Sequence, residues 1–228
     1  VAACLAGVMS LEDALRLVAV RAALMQQQPE GAMVAVPMTP QALASIINAP
    51  LSLAVVNTPE LCVVSGPTDA VEQLMEKLGQ QGIDTTCLHT SHAFHSIMME
   101  PVAEALVTQL RSIQLQPPSI PFISTATGTW ITDDEAISPE YWANHLRHTV
   151  RFSEGISKLL QKPKLIFLEV GPGRTLSTLT KRHMPELEKT VLTSLHPPKE
   201  YQHDIAFLLK TLGQLWTTGI SIDTTSFN

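Results

Sequence analysis

Apolar residues recur at helical spacing directly after a capping serine near the start of the chain. Ser10 is followed three residues later by the carboxylate of Asp13, which is typical of a helix N-terminus. The apolar positions that follow fall on one stripe, at Leu15, Val18, Ala22 and Met25. This pattern predicts a helix over residues 11–27.

Six short segments follow Gly31, with strand and helix patterns in a fixed order. The predicted elements are strand 32–36, helix 40–48, strands 51–56 and 61–65, helix 69–81 and strand 83–88. The order βαββαβ is that of a ferredoxin-like unit, in which two helices back a four-stranded antiparallel sheet. We therefore predict that residues 31–90 form a small ferredoxin-like subdomain inserted into a larger one.

The remainder of the chain alternates helices with strands. The predicted elements are helix 97–113, strand 120–124, helix 139–146, a helix capped by Ser153 and ending at 160, strand 165–170 buried on both faces, helix 175–182, strand 191–195 and helix 199–218. Such alternation indicates a parallel sheet covered by helices. Residues 1–30 and 91–228 are predicted to form the large subdomain of a mixed α/β fold.

Composition narrows the function classes. The three cysteines are odd in number and have no CxxC spacing, which argues against a disulfide framework and favours a reducing, cytoplasmic setting. The net charge of −6 comes without a run of Lys or Arg, so no nucleic-acid partner is expected. The apolar run at residues 1–6 is too short for a membrane span, and no membrane partner is expected.

Three histidines, His89, His92 and His95, crowd into the junction between a predicted strand and a predicted helix. A histidine there could act as a general base, since its ordinary pKa is about 6.5. The run contains no Asp or Glu that could complete a metal site, so no metal is predicted. The alternative is a structural histidine hydrogen-bonded to the backbone.

Two further features suggest anion binding. Arg21 lies among apolar residues of the first long helix, where it either extends to solvent or binds a carboxylate through its two-pronged guanidinium. The turn 171–174, Gly-Pro-Gly-Arg, precedes a predicted helix and could receive a phosphate at the helix start. A plain tight turn is an equally good interpretation of the two glycines.

Several stretches together resemble the acyltransferase domain of modular polyketide synthases, within the malonyl-CoA:acyl-carrier-protein transacylase family. The stretches are 1–8 with 15–21, His92-Ala93-Phe94-His95-Ser96, Tyr141-Trp142 through Val150-Arg151-Phe152, and Glu169-Val170-Gly171-Pro172-Gly173. The resemblance implies an α/β-hydrolase-like large subdomain with a parallel sheet, interrupted by a ferredoxin-like small subdomain. The same insertion is predicted above from periodicity alone.

The resemblance also implies site residues and a reaction. His95 matches the catalytic base, Arg21 matches the residue that binds the malonyl carboxylate, and His145 matches a position whose backbone carbonyl orients the base, so its side chain is expected to matter little. The implied reaction is ping-pong transfer of malonyl from malonyl-CoA, through an acyl-serine, to the phosphopantetheine thiol of an acyl carrier protein. Ketosynthase and linker domains of a parent synthase are the implied neighbours, and no bound cofactor is expected.

The tetrapeptide His92-Ala93-Phe94-His95 resembles the signature of malonyl-selective domains. By this resemblance, Phe94 and His92 set the choice of extender unit. A phenyl ring beside the base would fill the volume that the α-methyl group of methylmalonyl needs. Discrimination of one methyl group is limited to about 1–3 kcal/mol, so the expected selectivity is incomplete.

The family's nucleophile lies in a GxSxG turn that is expected upstream of the segment matching Val1. Ser65, Ser91 and Ser96 have no such frame and are interpreted as structural. The chain alone is therefore expected to be inactive. Two other function classes remain open, a serine hydrolase of related architecture and a ferredoxin-like ligand-binding module.

Overall fold

The computed structural model describes residues 1–183, 191–197, 200 and 203–223. The chain divides into two units, Val1–Lys158 and Leu159–Asn228, and each is treated separately. In the described part of the chain, no helix has the length and apolar character needed to cross a bilayer. The subdomain boundaries expected from the sequence, 1–30 with 91–228 and 31–90, stay a prediction.

The first unit begins with helical segments and then enters a sheet. Its helices are α1 (Ala2–Leu5), α2 (Leu11–Gln26), α3 (Pro40–Ala44), α4 (Thr68–Gln80), α5 (Glu100–Leu110), α6 (Asp133–Ala136), α7 (Pro139–Asn144) and α8 (Phe152–Leu159), of which only the final residue belongs to the second unit. Its strands are β1 (Ala32–Val36), β2 (Ser52–Thr58), β3 (Leu61–Gly66) and β4 (Thr86–Cys87). As predicted, Ser10 caps α2 and accepts a hydrogen bond from the Asp13 N–H.

The four strands form one antiparallel sheet in the order β2-β3-β1-β4. With α3 and α4 in the crossovers, this order is the ferredoxin-like arrangement, which confirms the βαββαβ prediction. The last strand is shorter than expected: β4 pairs with β1 only through Cys87 and Thr86, opposite Val34 and Ala35.

The two faces of this sheet pack against different partners. Val34, Val36 and Val64 point to one face, where they pack with Leu43 of α3 and Leu78 of α4. The opposite face is a smaller cluster of Met33, Ala54 and Val63, and partly buried Phe94 packs against it. Successive side chains of a strand point to opposite faces, so one set packs against the helices and the other packs against Phe94 of the histidine run.

The helices outside the sheet share a second core. Val102, Leu106 and Leu110 of α5 are buried there, with Leu146 from the turn after α7. Apolar side chains of α2 pack against this core from one side only, and the opposite stripe of α2, formed by Leu11, Leu15 and Val18, is exposed. Phe94 also contacts this core, so its ring joins the helical core to the second face of the sheet.

Several boundaries predicted for the first unit are wrong. The helix expected over 40–48 ends at Ala44, and the one expected over 97–113 is a 3-10 turn at Ile97–Met99 followed by α5. The expected strand 120–124 is reduced to one antiparallel bridge between Ile123 and Trp130, because the chain turns back there as a short hairpin. Ser153 does not cap α8, since that helix already begins at Phe152.

The second unit pairs β5 (Phe167–Glu169) with β6 (Val191–Thr193) in parallel, next to α9 (Thr175–His183) and α10 (Asp204–Thr217). The parallel pairing agrees with the prediction, but β5 is not buried on both faces, because Leu168 is 39% exposed. Residues 199 and 201–202, where the last helix was expected to start, lie outside the described residues.

The glycine turn at 171–174 does not offer a free helix N-terminus. The carboxylate of Glu169 accepts hydrogen bonds from the backbone N–H groups of Leu176 (3.2 Å) and Ser177 (2.8 Å) in the first turn of α9. An acidic side chain from β5 thus occupies the place where a phosphate was considered. The turn is structural, with Gly171 and Gly173 at φ values of 141° and 107°.

Candidate active site

His95 lies in the turn between β4 and the 3-10 turn, with its backbone in the left-handed region at φ 57°. Its N–H donates to the Leu146 carbonyl at 3.1 Å, and its ring Nδ1 lies 3.0 Å from the His148 carbonyl oxygen. Because a carbonyl can only accept, Nδ1 carries the ring proton and Nε2 keeps its lone pair. The fold therefore presents Nε2 of His95 as the basic nitrogen.

The surroundings of His95 favour its neutral form. Burial lowers the pKa of His95 below its ordinary value, and the positive charge of Arg21 lowers it further. The hydrogen bond to the His148 carbonyl acts in the opposite direction, and the backbone of His145 does so to a smaller extent. Since desolvation is the largest effect, the ring is available to accept a proton at neutral pH.

Arg21 reaches this site from α2. Burial lowers the pKa of its guanidinium, and its buried Nε has no hydrogen-bond partner among the described residues. A buried cationic donor without a partner is costly, and a carboxylate would satisfy it with charge-assisted hydrogen bonds. Of the two interpretations open from the sequence, carboxylate binding is the one that would give this buried Nε a partner.

His145 caps the C-terminus of α7, and its Nε2 shares a hydrogen bond with Thr125 Oγ1 at 2.9 Å. Burial, followed by the nearby His95, Arg21 and His148, lowers the pKa of His145 to about 4. Its ring is therefore neutral at physiological pH. The backbone carbonyl of His145, which the resemblance implies as the orienting group, acts on His95 together with the carbonyl of His148. The His148 carbonyl carries no sequence signal, because it belongs to the backbone.

The low pKa of His145 predicts how stability changes with pH. Below about pH 6.5 the unfolded chain binds a proton at this residue that the folded chain does not bind until about pH 4, so acidification destabilises the fold. When the pH falls from 7 to 4.5, the free energy of unfolding of the wild type, measured in urea, should therefore drop by roughly 2–3 kcal/mol more than that of the His145→Gln variant. His89→Asn, at an exposed position, is the control. Equal losses in the wild type and His145→Gln would contradict this assignment.

The His148 carbonyl is held in place by the edge of the ferredoxin-like sheet. The segment 149–150 lies beside β2 in parallel: the Val150 N–H donates to the Ala54 carbonyl (2.8 Å) and the Val56 N–H donates to the Val150 carbonyl (2.9 Å). A cleft of about 290 Å³ opens between the start of β2 and this segment. His95, Arg147 and His148 line it, so His95 is reachable from the cleft.

The two residues expected to set substrate choice differ in their surroundings. Phe94 is partly buried between the helical core and the sheet, one residue before the base. His92 is 4% exposed, its Nδ1 is hydrogen-bonded to Ser91 Oγ at 2.8 Å, and its ring centroid is 6.1 Å from that of Phe94. Phe94 thus packs between the two cores directly before His95 in the chain, and the His92 ring lies next to it.

The other candidates at this junction have structural contacts. Ser91 is bonded to His92, and Ser96 Oγ donates to the Ala93 carbonyl at 2.6 Å. Ser65 belongs to β3 and not to the junction; it is buried, and its Oγ has no hydrogen-bond partner among the described residues. Within residues 1–183, 191–197, 200 and 203–223, no three His, Cys, Asp or Glu side chains are grouped so that they could hold a metal ion. The three histidines of the run thus have separate surroundings, and His95 is the one placed with Arg21.

Comparisons with known proteins show the family of this chain. The family described as "Acyl transferase domain" matches residues 1–222. A phenolphthiocerol/phthiocerol polyketide synthase of Mycobacterium tuberculosis is 35% identical over 227 residues, which cover 99% of this chain and 15% of that protein. The chain thus spans a small part of such a synthase.

Solved structures give the same result. The acyltransferase domain from the second module of the salinomycin polyketide synthase superposes with a TM-score of 0.89 at 37% identity, covering 97% of this chain and 52% of that one. Malonyl CoA-acyl carrier protein transacylase from Clostridium perfringens superposes with a TM-score of 0.81 at 29% identity, covering 99% of this chain and 69% of that one.

The chain therefore spans about half of the length of the solved synthase domain. These matches confirm the mixed α/β fold, with an α/β-hydrolase-like part and a ferredoxin-like part. Together with the profile match over residues 1–222, they show that this chain belongs to the acyl transferase domain family of polyketide synthases and acyl-carrier-protein transacylases.

Proposed function

We propose that this chain is part of an acyltransferase that moves malonyl from malonyl-CoA to the phosphopantetheine thiol of an acyl carrier protein. The observation that carries the proposal is the buried Nε of Arg21, which has no partner in the described part of the chain and lies in the site of the base His95. A malonyl thioester has a free carboxylate at one end and a reactive carbonyl at the other. Arg21 would bind the first while His95 serves the second.

The first half of the proposed reaction transfers the acyl group to a serine. The serine Oγ attacks the thioester carbonyl of malonyl-CoA, and its proton passes to Nε2 of His95. The carbon–sulfur bond then breaks, and the CoA sulfur leaves with the proton that His95 returns. The His148 carbonyl holds Nδ1–H throughout, so the imidazolium that forms keeps its orientation.

The second half reverses the roles. The phosphopantetheine thiol of the carrier protein gives its proton to Nε2 of His95, and its sulfur attacks the malonyl-serine ester. The ester carbon–oxygen bond breaks, and the serine oxygen recovers the proton from His95. In this proposal the pantetheine arm approaches His95 through the cleft beside β2, and no bound cofactor or metal takes part.

The serine nucleophile is proposed to lie outside this chain, in a GxSxG turn of the parent polyketide synthase, where ketosynthase and linker regions are further neighbours. The exposed apolar stripe of α2 supports this, because Leu11, Leu15 and Val18 are each more than 60% exposed and would be covered by another layer of the same domain. We call this chain together with its nucleophile-bearing part the complete domain. The chain by itself is proposed to be inactive.

The experiment that tests this proposal traps the intermediate. The complete domain is incubated with malonyl-CoA in the absence of carrier protein and analysed by intact mass and peptide mapping. We expect one malonyl group, on the serine of the GxSxG turn, and parallel double-reciprocal plots when carrier protein is added. A domain that transfers without an acylated serine would contradict the two-step reaction.

The position of Phe94 leads to a prediction about the extender unit. Phe94→Ser should raise turnover of methylmalonyl relative to malonyl by about tenfold or more, since a pocket that excludes one methyl group discriminates by about 1–3 kcal/mol. Competition between the two CoA esters on the complete domain measures this ratio. Phe94→Met, which keeps most of the volume, is the control. An unchanged ratio in Phe94→Ser would exclude Phe94 as the selectivity residue.

A further inference from the structure

Two neighbouring residues of the hairpin 123–130 are hydrogen-bonded to two residues one turn apart on α7 and its C-cap. The Tyr141 hydroxyl donates to Ser124 Oγ at 2.6 Å, and Thr125 Oγ1 shares a hydrogen bond with His145 Nε2 at 2.9 Å. We call these two bonds the hairpin clamp. The clamp fixes the end of α7 against the hairpin.

The turn 146–148, which follows the clamped end of α7, is the one that holds His95. The Leu146 carbonyl accepts the His95 backbone N–H, and the His148 carbonyl accepts ring Nδ1–H. Thr125 also contacts the far end of this segment, because its own carbonyl accepts the Arg151 N–H at 2.7 Å. One residue of the hairpin therefore restrains both ends of the segment that orients His95.

The surroundings of His145 keep the Thr125 bond intact in the neutral state of the ring. His145 stacks on Trp142, with ring centroids 6.4 Å apart and planes 28° apart. Burial and the neighbouring His95, Arg21 and His148 all oppose its protonation, which lowers its pKa. A hydroxyl and a neutral imidazole form a hydrogen bond without either group being charged. The bond between Thr125 and His145 therefore persists beside Arg21, which carries a charge, and His95, which accepts one with a proton.

We propose that Thr125 is a positioning residue for His95, acting through the side chain of His145 and the carbonyls of the following turn. This inference rests on the proposed function, in which His95 is the base. It also revises the expectation that only the backbone of His145 matters, because the side chain of His145 is the link to Thr125. Hydroxyl loss at Thr125 should leave malonyl binding intact and disturb proton transfer.

The test uses Thr125→Val, which keeps the shape of the side chain and removes its hydroxyl, in the complete domain labelled with ¹⁵N-histidine. We expect NMR to show a smaller fraction of the Nδ1–H tautomer of His95. We also expect kcat to fall roughly tenfold with an unchanged KM for malonyl-CoA, because a slightly misplaced base slows the chemical step. Thr125→Ser should restore both values. Thr86→Val, at an exposed position of β4, is the control.

A variant that melts earlier but keeps the wild-type His95 tautomer and kcat would overturn the inference, because the clamp would then be only structural. The tautomer signal does not require acyl transfer. A tautomer shift in Thr125→Val together with no malonyl transfer by the wild type would therefore support the positioning role while contradicting the proposed function.

Discussion

Replacing Arg21 with alanine in the complete domain is expected to lower kcat/KM for malonyl-CoA about a thousandfold. The guanidinium of Arg21 is partly buried, and its Nε has no partner within the residues that the structure describes. Two charge-assisted hydrogen bonds to a carboxylate would contribute about 4 kcal/mol, and the variant loses both. Steady-state transfer of malonyl to the carrier protein measures the effect.

Two variants separate carboxylate binding from general damage. Arg21→Lys keeps the charge but cannot form the two-pronged contact, so it should recover only a small part of the activity. Arg16 lies on the same helix and is ion-paired with Asp13 at 2.8 Å. Arg16→Ala should leave malonyl transfer unchanged. A serine hydrolase would have no use for Arg21. Equal activity of Arg21→Ala and wild type toward malonyl-CoA would therefore favour that alternative.

His95→Asn should lower kcat by about a thousandfold, since a positioned general base contributes 10²- to 10⁴-fold. Asparagine is chosen because His95 has a φ of 57°, and asparagine tolerates this region better than alanine does. The backbone of the turn should thus survive while the base is lost. Single-turnover acylation by malonyl-CoA, followed with and without carrier protein, reports both halves of the reaction.

The matched control is His89→Asn, because His89 belongs to the same run but is exposed. Its activity and melting temperature should equal those of the wild type. If His95→Asn instead kept wild-type acylation while His89→Asn lost it, the base would be assigned to the wrong histidine. A loss in His95→Asn with a normal melting temperature places the defect in the chemistry.

Much of the fold was predictable because local patterns and tertiary packing agree. The βαββαβ order follows from alternating residues such as Met33, Val34 and Val36, because each face of their strand packs into a hydrophobic cluster. Predictions failed where tertiary contacts replaced local preference. The apolar stretch 120–124 favours a strand, but it turns into a hairpin whose bridge joins Ile123 to Trp130.

The candidate site was predictable only where a side chain carries the chemistry. His95 and Arg21 are 74 positions apart in the chain, yet the positive charge of Arg21 acts on the ring of His95 and lowers its pKa. The role of His148 could not be predicted, because any residue at that position offers a carbonyl. Thr125 carries no motif, and its bond to His145 follows from packing between the hairpin and α7.

If Arg21 and His95 together direct a malonyl group to a carrier protein, the complete domain should select malonyl-CoA over an acyl-CoA that lacks the free carboxylate. A competition measures this choice: the complete domain is offered equal malonyl-CoA and acetyl-CoA with a phosphopantetheinylated carrier protein, and the carrier is weighed by mass spectrometry. We predict predominantly malonylated carrier with wild-type Arg21 and loss of that preference in Arg21→Ala. A carrier protein that is acetylated as readily as it is malonylated by the wild type would contradict the joint role of Arg21 and His95.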